Sequence, residues 1–369
     1  MIKHRITKAS VKNVIVSEKT VWRHVVLETD SGLAGFGEAS LDRMTASFDA
    51  GLRAAAGAVE GRTLGTETLE PIAFLLEKDL SQRTIHAALD QAVHDLAAQA
   101  ADVPLCTYLN AEVATGSGRL YANINRATLD RSPEGFAAHA AQAISEGFTA
   151  VKIAAFDNLT PELCSMPNGK PLIEMGLARL VSIAEAAPDA EIMVDCHWRL
   201  DKKTAHAILP RLAEIGVVWL ECPYPETDDR IDDLCDLRRV ANAQGIRLCG
   251  LETHGGWDQI APFVQGGAYD VVMPDVKHVG CLTAITDIAT RAGALGVAVS
   301  LHNPTGPVSH MASTHCAAAI GSDERLEVQW RESELFFEIT DPAPDINGDS
   351  FRTGVTPGLG VRLKKGIGQ

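Results

Sequence analysis

Residues 191–221 read EIMVDCHWRLDKKTAHAILPRLAEIGVVWLE, and the order of residue types in this stretch decides the fold. An apolar run ends in an acid (EIMVD), and a polar turn follows. KTAHAILPRLAEIG then carries apolar residues at helical spacing, and VVWLE is a second apolar run ending in an acid. This is a strand–helix–strand unit of the length that joins two parallel strands. The same unit recurs on both sides, from about 119 to 330. Strands are expected at RLYANIN (119–125), TAVKIA (149–154), EIMVD (191–195), VVWLE (217–221), IRLCGLE (246–252), YDVVMPD (269–275), VAVSLH (297–302) and LEVQW (326–330). Helical segments such as PEGFAAHAAQAISEGF, LARLVSIAEAA and LTAITDIATRAGALG lie between them. Eight strands alternating with helices are what a closed parallel barrel requires. An open doubly wound sheet would need a glycine-rich phosphate turn after an early strand, and none of the first strands has one.

The flanks differ from this pattern. Residues 1–112 place strands first (KHRITKASVKNVIVS, then VWRHVVLETDSGLAGFGEAS, turning tightly at Ser31-Gly32) and helix after, with helical spacing over 84–110. That is an α+β unit, expected to cap a barrel spanning 113–330. Residues 331–369 carry no further strand–helix unit; TPGLGVRL (356–363) reads as a turn and strand packing back on the cap. The fold class is therefore α/β, a TIM-type barrel with an α+β capping domain.

The 369 residues are 46% hydrophobic and 22% charged, with a formal net charge of −15. Such a balance argues against nucleic acid or an anionic membrane as partner, but not against a small anionic substrate met by a local cation. No stretch approaches a membrane span, and MIKHRITKASVKNVIV lacks the apolar run of a secretory signal. Eight scattered cysteines without a CxxC pair, several beside strand residues (Cys196, Cys222, Cys249), point to a reduced, cytoplasmic setting.

The strand ends carry the chemistry. Apolar runs terminate in Asp195, Glu221, Glu252, Asp275 and His302, with Glu327 near the start of the eighth. The active face of a barrel lies at the carboxyl ends of its strands, so these side chains converge. One acid after a strand can simply cap a loop or pair with a base. Asp195, Glu221 and Glu252, on three adjacent strands, would repel one another without a cation among them, and oxygen ligands favour Mg²⁺ or Mn²⁺. Asp275 and His302 end neighbouring strands, where the acid fixes the imidazole tautomer and makes His302 a general base. His197 lies two residues beyond Asp195, so alternation points it into the same pocket, placed to protonate a leaving hydroxyl. Lys152 has a similar inward phase and is suited to a substrate carboxylate, to metal-bound oxygens or to a buried ion pair.

With these motifs in view, the whole chain resembles the mandelate racemase branch of the enolase superfamily. ETDSGLAGFGEAS, MVDCHWRLD, WLECPYPE, GLETHGG, MPDVKHVG, SLHNPTGPVSHMAS, LEVQW and TPGLGV carry the resemblance. It implies an α+β cap over a (β/α)₇β barrel, one Mg²⁺ on Asp195, Glu221 and Glu252, and an Asp275–His302 base dyad. It also implies that Glu327, when protonated, hydrogen-bonds a substrate carboxylate. Three departures mark this chain. Lys152-Ile153-Ala154 stands where the family often has Lys-x-Lys, which removes the second base a simple racemase uses. Cys281 stands where a second glycine is usual. The Asp-x-His motif at His197 resembles the acid-sugar dehydratases related to galactonate dehydratase, in which that histidine protonates the departing 3-hydroxyl.

The resemblance implies a hydro-lyase acting on a sugar acid. An epimerase, racemase or cycloisomerase on the same scaffold, or a non-catalytic binding barrel, are the alternatives. Specificity is expected from cap loops near 15–24 and 39–48, the insertion AFDNLTPELCSMPNGKPL, and Asn123, Asn125, Trp198 and Arg199. Barrels of this family commonly form homo-oligomers.

Overall fold

The computed structural model describes residues 4–41 and 44–368, so Asp42 and Arg43 of the loop at 39–48 lie outside the described residues. Strands β1 (Ile6–Ile15), β2 (Val21–Thr29) and β3 (Ala34–Glu38) form an antiparallel sheet in that order. Gly32, at φ 84°, makes the turn between β2 and β3. Helices α1 (Ala46–Ala58), α2 (Leu80–Ala100) and α3 (Leu105–Leu109) complete the cap. The Asp79 side chain accepts the Gln82 amide and starts α2. The left-handed Asp102 (φ 56°) and then Pro104 interrupt it, so the helical stretch expected over 84–110 is two helices. Gly35 and Gly37 let α2 lie directly on β3, because a Cβ at either position would overlap the carbonyl oxygens of Ala92 and Ala88.

The barrel follows as β4 (Ser117–Asn123), α4 (Pro133–Ser145), β5 (Ala150–Ala154), α5 (Pro161–Cys164), α6 (Gly169–Ala186), β6 (Glu191–Asp195), α7 (Lys202–Ile215) and β7 (Val217–Glu221). It continues as α8 (Ile231–Asn242), β8 (Arg247–Gly250), α9 (Gly256–Gly266), β9 (Val271–Val272), α10 (Leu282–Ala294), β10 (Ala298–Val299), α11 (Pro307–Ile320) and β11 (Leu326–Gln329). The strands are parallel neighbours from β4 through β10, and β11 pairs with the other edge of β4. Among the described residues no backbone ladder joins β10 to β11. Side chains bridge that seam: Ser300 Oγ donates to Arg325 O at 2.8 Å and Ser322 Oγ to Val299 O at 2.6 Å.

The strands are shorter than their apolar runs. The first covers Ser117–Asn123 rather than 119–125, and the fifth, sixth and seventh end before Glu252, Asp275 and His302. Left-handed Leu251 (φ 73°) and the missing N–H of Pro274 end the pairing early, and those three residues project from the turns beyond.

The tail adds α12 (Leu335–Glu338), β12 (Thr340–Asp341), β13 (Asp345–Asn347), β14 (Ser350–Arg352) and β15 (Arg362–Leu363). β14 runs antiparallel to the beginning of β4, and β15 pairs with β12. Within TPGLGV, Leu359 N donates to Asp95 Oδ1 of α2 at 2.8 Å and Gly358 N to Val103 O at 3.0 Å. Among the described residues no helix is long and apolar enough to cross a membrane.

Two buried layers set up the site. Leucines, isoleucines and valines pack the strands against the outer helices. Inside the barrel, Tyr121, Ala150, Met193, Trp219, Cys249, Val271 and Met273 form a separate cluster. One alternation step along β4 to β7 from the first four of these come Asn123, Lys152, Asp195 and Glu221, which therefore also face inward, at the carboxyl end.

Candidate active site

Asp195, Glu221 and Glu252 are buried, and one carboxylate oxygen of each lies within 4.8 Å of the others. Burial raises Glu221, and the charges of Asp195 and Glu252 add to this against the pull of Lys152, so that its carboxyl is pushed up to about 8. Glu252 is also raised, by burial first. Asp195 resists the same burial because His197 sits on it, and falls to about 2. Three buried carboxylates with an oxygen each within 4.8 Å of the others form an all-oxygen donor set that fits a hard divalent cation.

Lys152 is 1% exposed and lies between two acids, 2.7 Å from Glu221 Oε1 and 3.2 Å from Glu327 Oε1. Of the readings open for Lys152, the structure shows the buried ion pair. Glu327 also accepts from Asn123 Nδ2 and from Asn303 N (2.8 Å). Burial opposes its charge, but Lys152 and the other donors win and hold it below the usual carboxylate range. This surrounding favours the carboxylate form of Glu327.

Asp275 is fully buried and meets His302 Nδ1 at 2.8 Å. Lys277 also grips it, through Nζ to both oxygens at 3.0 and 2.7 Å and through its backbone N–H at 2.7 Å. That lysine was missed in the sequence, although its side chain follows Asp275 by two residues. His302 Nε2 faces Glu252 Oε2 at 3.5 Å. Burial would lower His302, but Glu252, Asp275 and Glu327 push it up to about 9. A neutral imidazole therefore requires the Glu252 charge to be taken up elsewhere. The cluster of Asp275, His278 and His302 is geometrically compact too, but its carboxylate already carries the Lys277 ammonium.

His197 Nε2 lies 2.7 Å from Asp195 Oδ2, with its side chain 37% exposed toward the mouth. Alternation is not what brings it there. β6 stops at Asp195, and His197 (φ 48°) and Trp198 (φ 56°) are both left-handed, so the chain doubles back over the strand end. Non-glycine residues hold such backbone only where their surroundings enforce it, and they gather at functional sites.

The remaining residues expected to bind substrate diverge. Asn123 faces the site and holds Glu327. Asn125 follows the strand, and its N–H donates to Asn123 Oδ1. The Trp198 indole donates to Glu226 at 2.8 Å and lines an open surface pocket of about 420 Å³ with Leu80, Pro225, Thr253 and His254. Arg199 turns away, donating to Phe156 O at 2.9 Å and standing 3.6 Å from Asp157. Cys281 is accommodated because Gly280 (φ 95°) takes the left-handed position, and Cys281 itself is extended.

Residues 135–367 match the family described as "Enolase C-terminal domain-like". The chain is 24% identical to D-xylonate dehydratase of Haloferax volcanii, over 96% of this chain and 86% of the relative. It is 23% identical to D-galactonate dehydratase of Xanthomonas euvesicatoria pv. vesicatoria, over 93% and 88%. The crystal structure of an enolase protein from environmental genome shotgun sequencing of the Sargasso Sea aligns with a TM-score of 0.80 at 27% identity, covering 98% of this chain and 95% of that one.

Proposed function

We propose a function from one premise: the chain belongs to the enolase C-terminal domain-like family, whose match spans more than half of it. The reaction is loss of water from a sugar acid, yielding a 2-keto-3-deoxy acid. The observation that carries this reading is the pair of histidines, each against a different carboxylate of one trio: His197 on Asp195 at 2.7 Å, His302 facing Glu252 at 3.5 Å.

A divalent cation on Asp195, Glu221 and Glu252, Mg²⁺ by this reading, would supply positive charge where the substrate carboxylate gains electron density. Asp275 on Nδ1 leaves His302 Nε2 as the free base that removes the proton from carbon 2. His197, reachable from the mouth, gives a proton to the 3-hydroxyl as the carbon–oxygen bond breaks and the carbon 2–carbon 3 double bond forms. The enol then ketonises. Lys152 holds Glu221 and Glu327 in place and is not free to serve as a second base, which weighs against epimerisation through that lysine.

The test is a screen of purified protein with Mg²⁺ against a stereochemically complete acid-sugar library, trapping 2-keto acids with semicarbazide. On any substrate found, His302→Asn should lose carbon-2 proton exchange in D₂O, and His197→Asn should keep exchange while losing dehydration. Exchange that survives His302→Asn overturns the assignment.

A further inference from the structure

Alternation alone would put Glu252 on the wrong face of the barrel. Cys249 belongs to the interior cluster, so residue 251, not 252, should point inward after it. Leu251 instead packs in the outer core, and its backbone is left-handed at φ 73°. That conformation is strained for a non-glycine residue and persists only if neighbours impose it.

Glu226 is the neighbour. Its Oε1 accepts Leu251 N–H and the Tyr269 hydroxyl, both at 2.7 Å, and its Oε2 accepts the Trp198 indole N–H at 2.8 Å. Gly250 makes room, since a Cβ there would overlap Glu226 Oε1. The Cys222 thiol lies against both acids, 3.9 Å from Glu226 Oε2 and 3.8 Å from Glu252 Oε2. One carboxylate thus ties together the turns after β6 and β8 and the approach to β9.

We infer that Glu226 is a positioning residue with two separable tasks: it enforces the Leu251 turn that swings Glu252 into the carboxylate trio, and it fixes the indole of Trp198, the residue after His197, as a wall of the open pocket that Trp198 shares with Leu80, Pro225, Thr253 and His254. The second task rests on the proposed dehydration; the first does not.

The tasks separate in Glu226→Gln. Its amide oxygen can keep accepting from Leu251 and Tyr269, which sets its NH₂ against the Trp198 N–H, donor against donor. Titrating the full-length protein with Mn²⁺ alone, with free ion followed by electron paramagnetic resonance, should give E226Q a native Kd within about threefold. E226A should bind about tenfold or more weakly, as expected for loss of a group that orients a ligand. Both E226Q and Trp198→Phe should raise KM for the acid sugar about tenfold, with a smaller change in kcat. Native Mn²⁺ affinity in a folded E226A overturns the first task, as does equal weakening in E226Q and E226A. If E226A does not fold, Glu226→Asp, one methylene short of Leu251, carries the same arm, and native affinity there overturns the task. Native KM in E226Q and W198F overturns the second. A native protein that turns over no acid sugar sinks the dehydration reading and leaves the Mn²⁺ arm to stand by itself.

Discussion

The loops after β8, β9 and β10 share one face of the barrel with the loops after β4, β5 and β6, yet the two sets are held by different means. In the first set the cap supplies the fasteners. Arg83 of α2 donates to Thr253 O at 2.8 Å and His278 O at 3.2 Å, His86 Nδ1 meets Gly280 O at 2.7 Å, and Asp90 accepts the Leu282 N–H at 2.7 Å. Glu38, at the end of β3, accepts the Thr305 hydroxyl and Gly306 N–H at 2.8 Å and the Ser309 N–H at 3.1 Å. All four cap side chains are buried. The second set leans mostly on its own ion network: Asp157 collects Arg131, Arg179 and Arg199 at 2.8, 3.1 and 3.6 Å, with its own side chain a quarter exposed, while Arg126 reaches Glu332 of the tail, which also accepts from Thr20 of the cap. The half that carries Glu252, Asp275 and His302 is thus fixed from the cap. The half beside His197 rests on a solvated ion network that a few substitutions can rearrange.

Four measurements would break or sharpen this contrast. The largest effect is expected for Glu38→Ala, which strands the buried donors of Thr305, Gly306 and Ser309. Urea unfolding should show a loss of about 3–5 kcal/mol, and kcat should fall more than KM because the disturbed turn follows His302. A loss no greater than that of an exposed ion pair would erase the contrast.

Next comes the pH dependence of the metal-free chain. His302, raised to about 9, contributes stability fully below its ordinary 6.5, and that contribution is lost as pH climbs through about 9. Glu221, raised to about 8, weakens the fold progressively as pH climbs from 4.5 through about 8. Both act in the same direction, so Tm should fall between pH 6.5 and 9. Mg²⁺ at a hundredfold excess over Kd should restore about 2.7 kcal/mol, with the larger shift at the alkaline end. A flat Tm profile would mean that the trio is not charged as described.

Arg83→Met, which frees carbonyls on two loops at once, should cost about 1–3 kcal/mol in thermal unfolding. The smallest change belongs to Asp157→Asn: under about 1 kcal/mol of stability, with KM moved by roughly two- to fivefold and kcat kept. A collapse of kcat in Asp157→Asn would show that the self-fastened half also governs the chemistry.

What could be read from the sequence divides differently, between regular strands and the turns that follow them. Lys152, Asp195 and Glu221 lie inside regular strands, where period two alone points them inward. The barrel and its cap were legible for the same reason, because apolar periodicity persists through each element. Glu252 and His197 are legible from their places after strands, but the route that brings them and Arg199 to their positions runs through left-handed residues at Leu251, His197 and Trp198, and nothing in those residue types announces the reversal. Arg199 was accordingly read toward the substrate and instead meets Asp157. Glu38, Arg83 and Asp90 find partners nearly two hundred residues or more away. Their one local signal was charge set among the apolar residues of β3 and α2, and its meaning depends on a docking that no local pattern encodes.

Gly35 and Gly37 act, in machining terms, as a shim of zero thickness between α2 and β3. Arg83, His86 and Asp90 all project from that helix, so any material inserted beneath it is subtracted from all three reaches together. One added methyl in the cap, remote in sequence from every acid and histidine of the site, would appear as slack in the loops bearing Glu252 and Asp275. The tolerance of the candidate site is thus set by two hydrogen atoms in the cap.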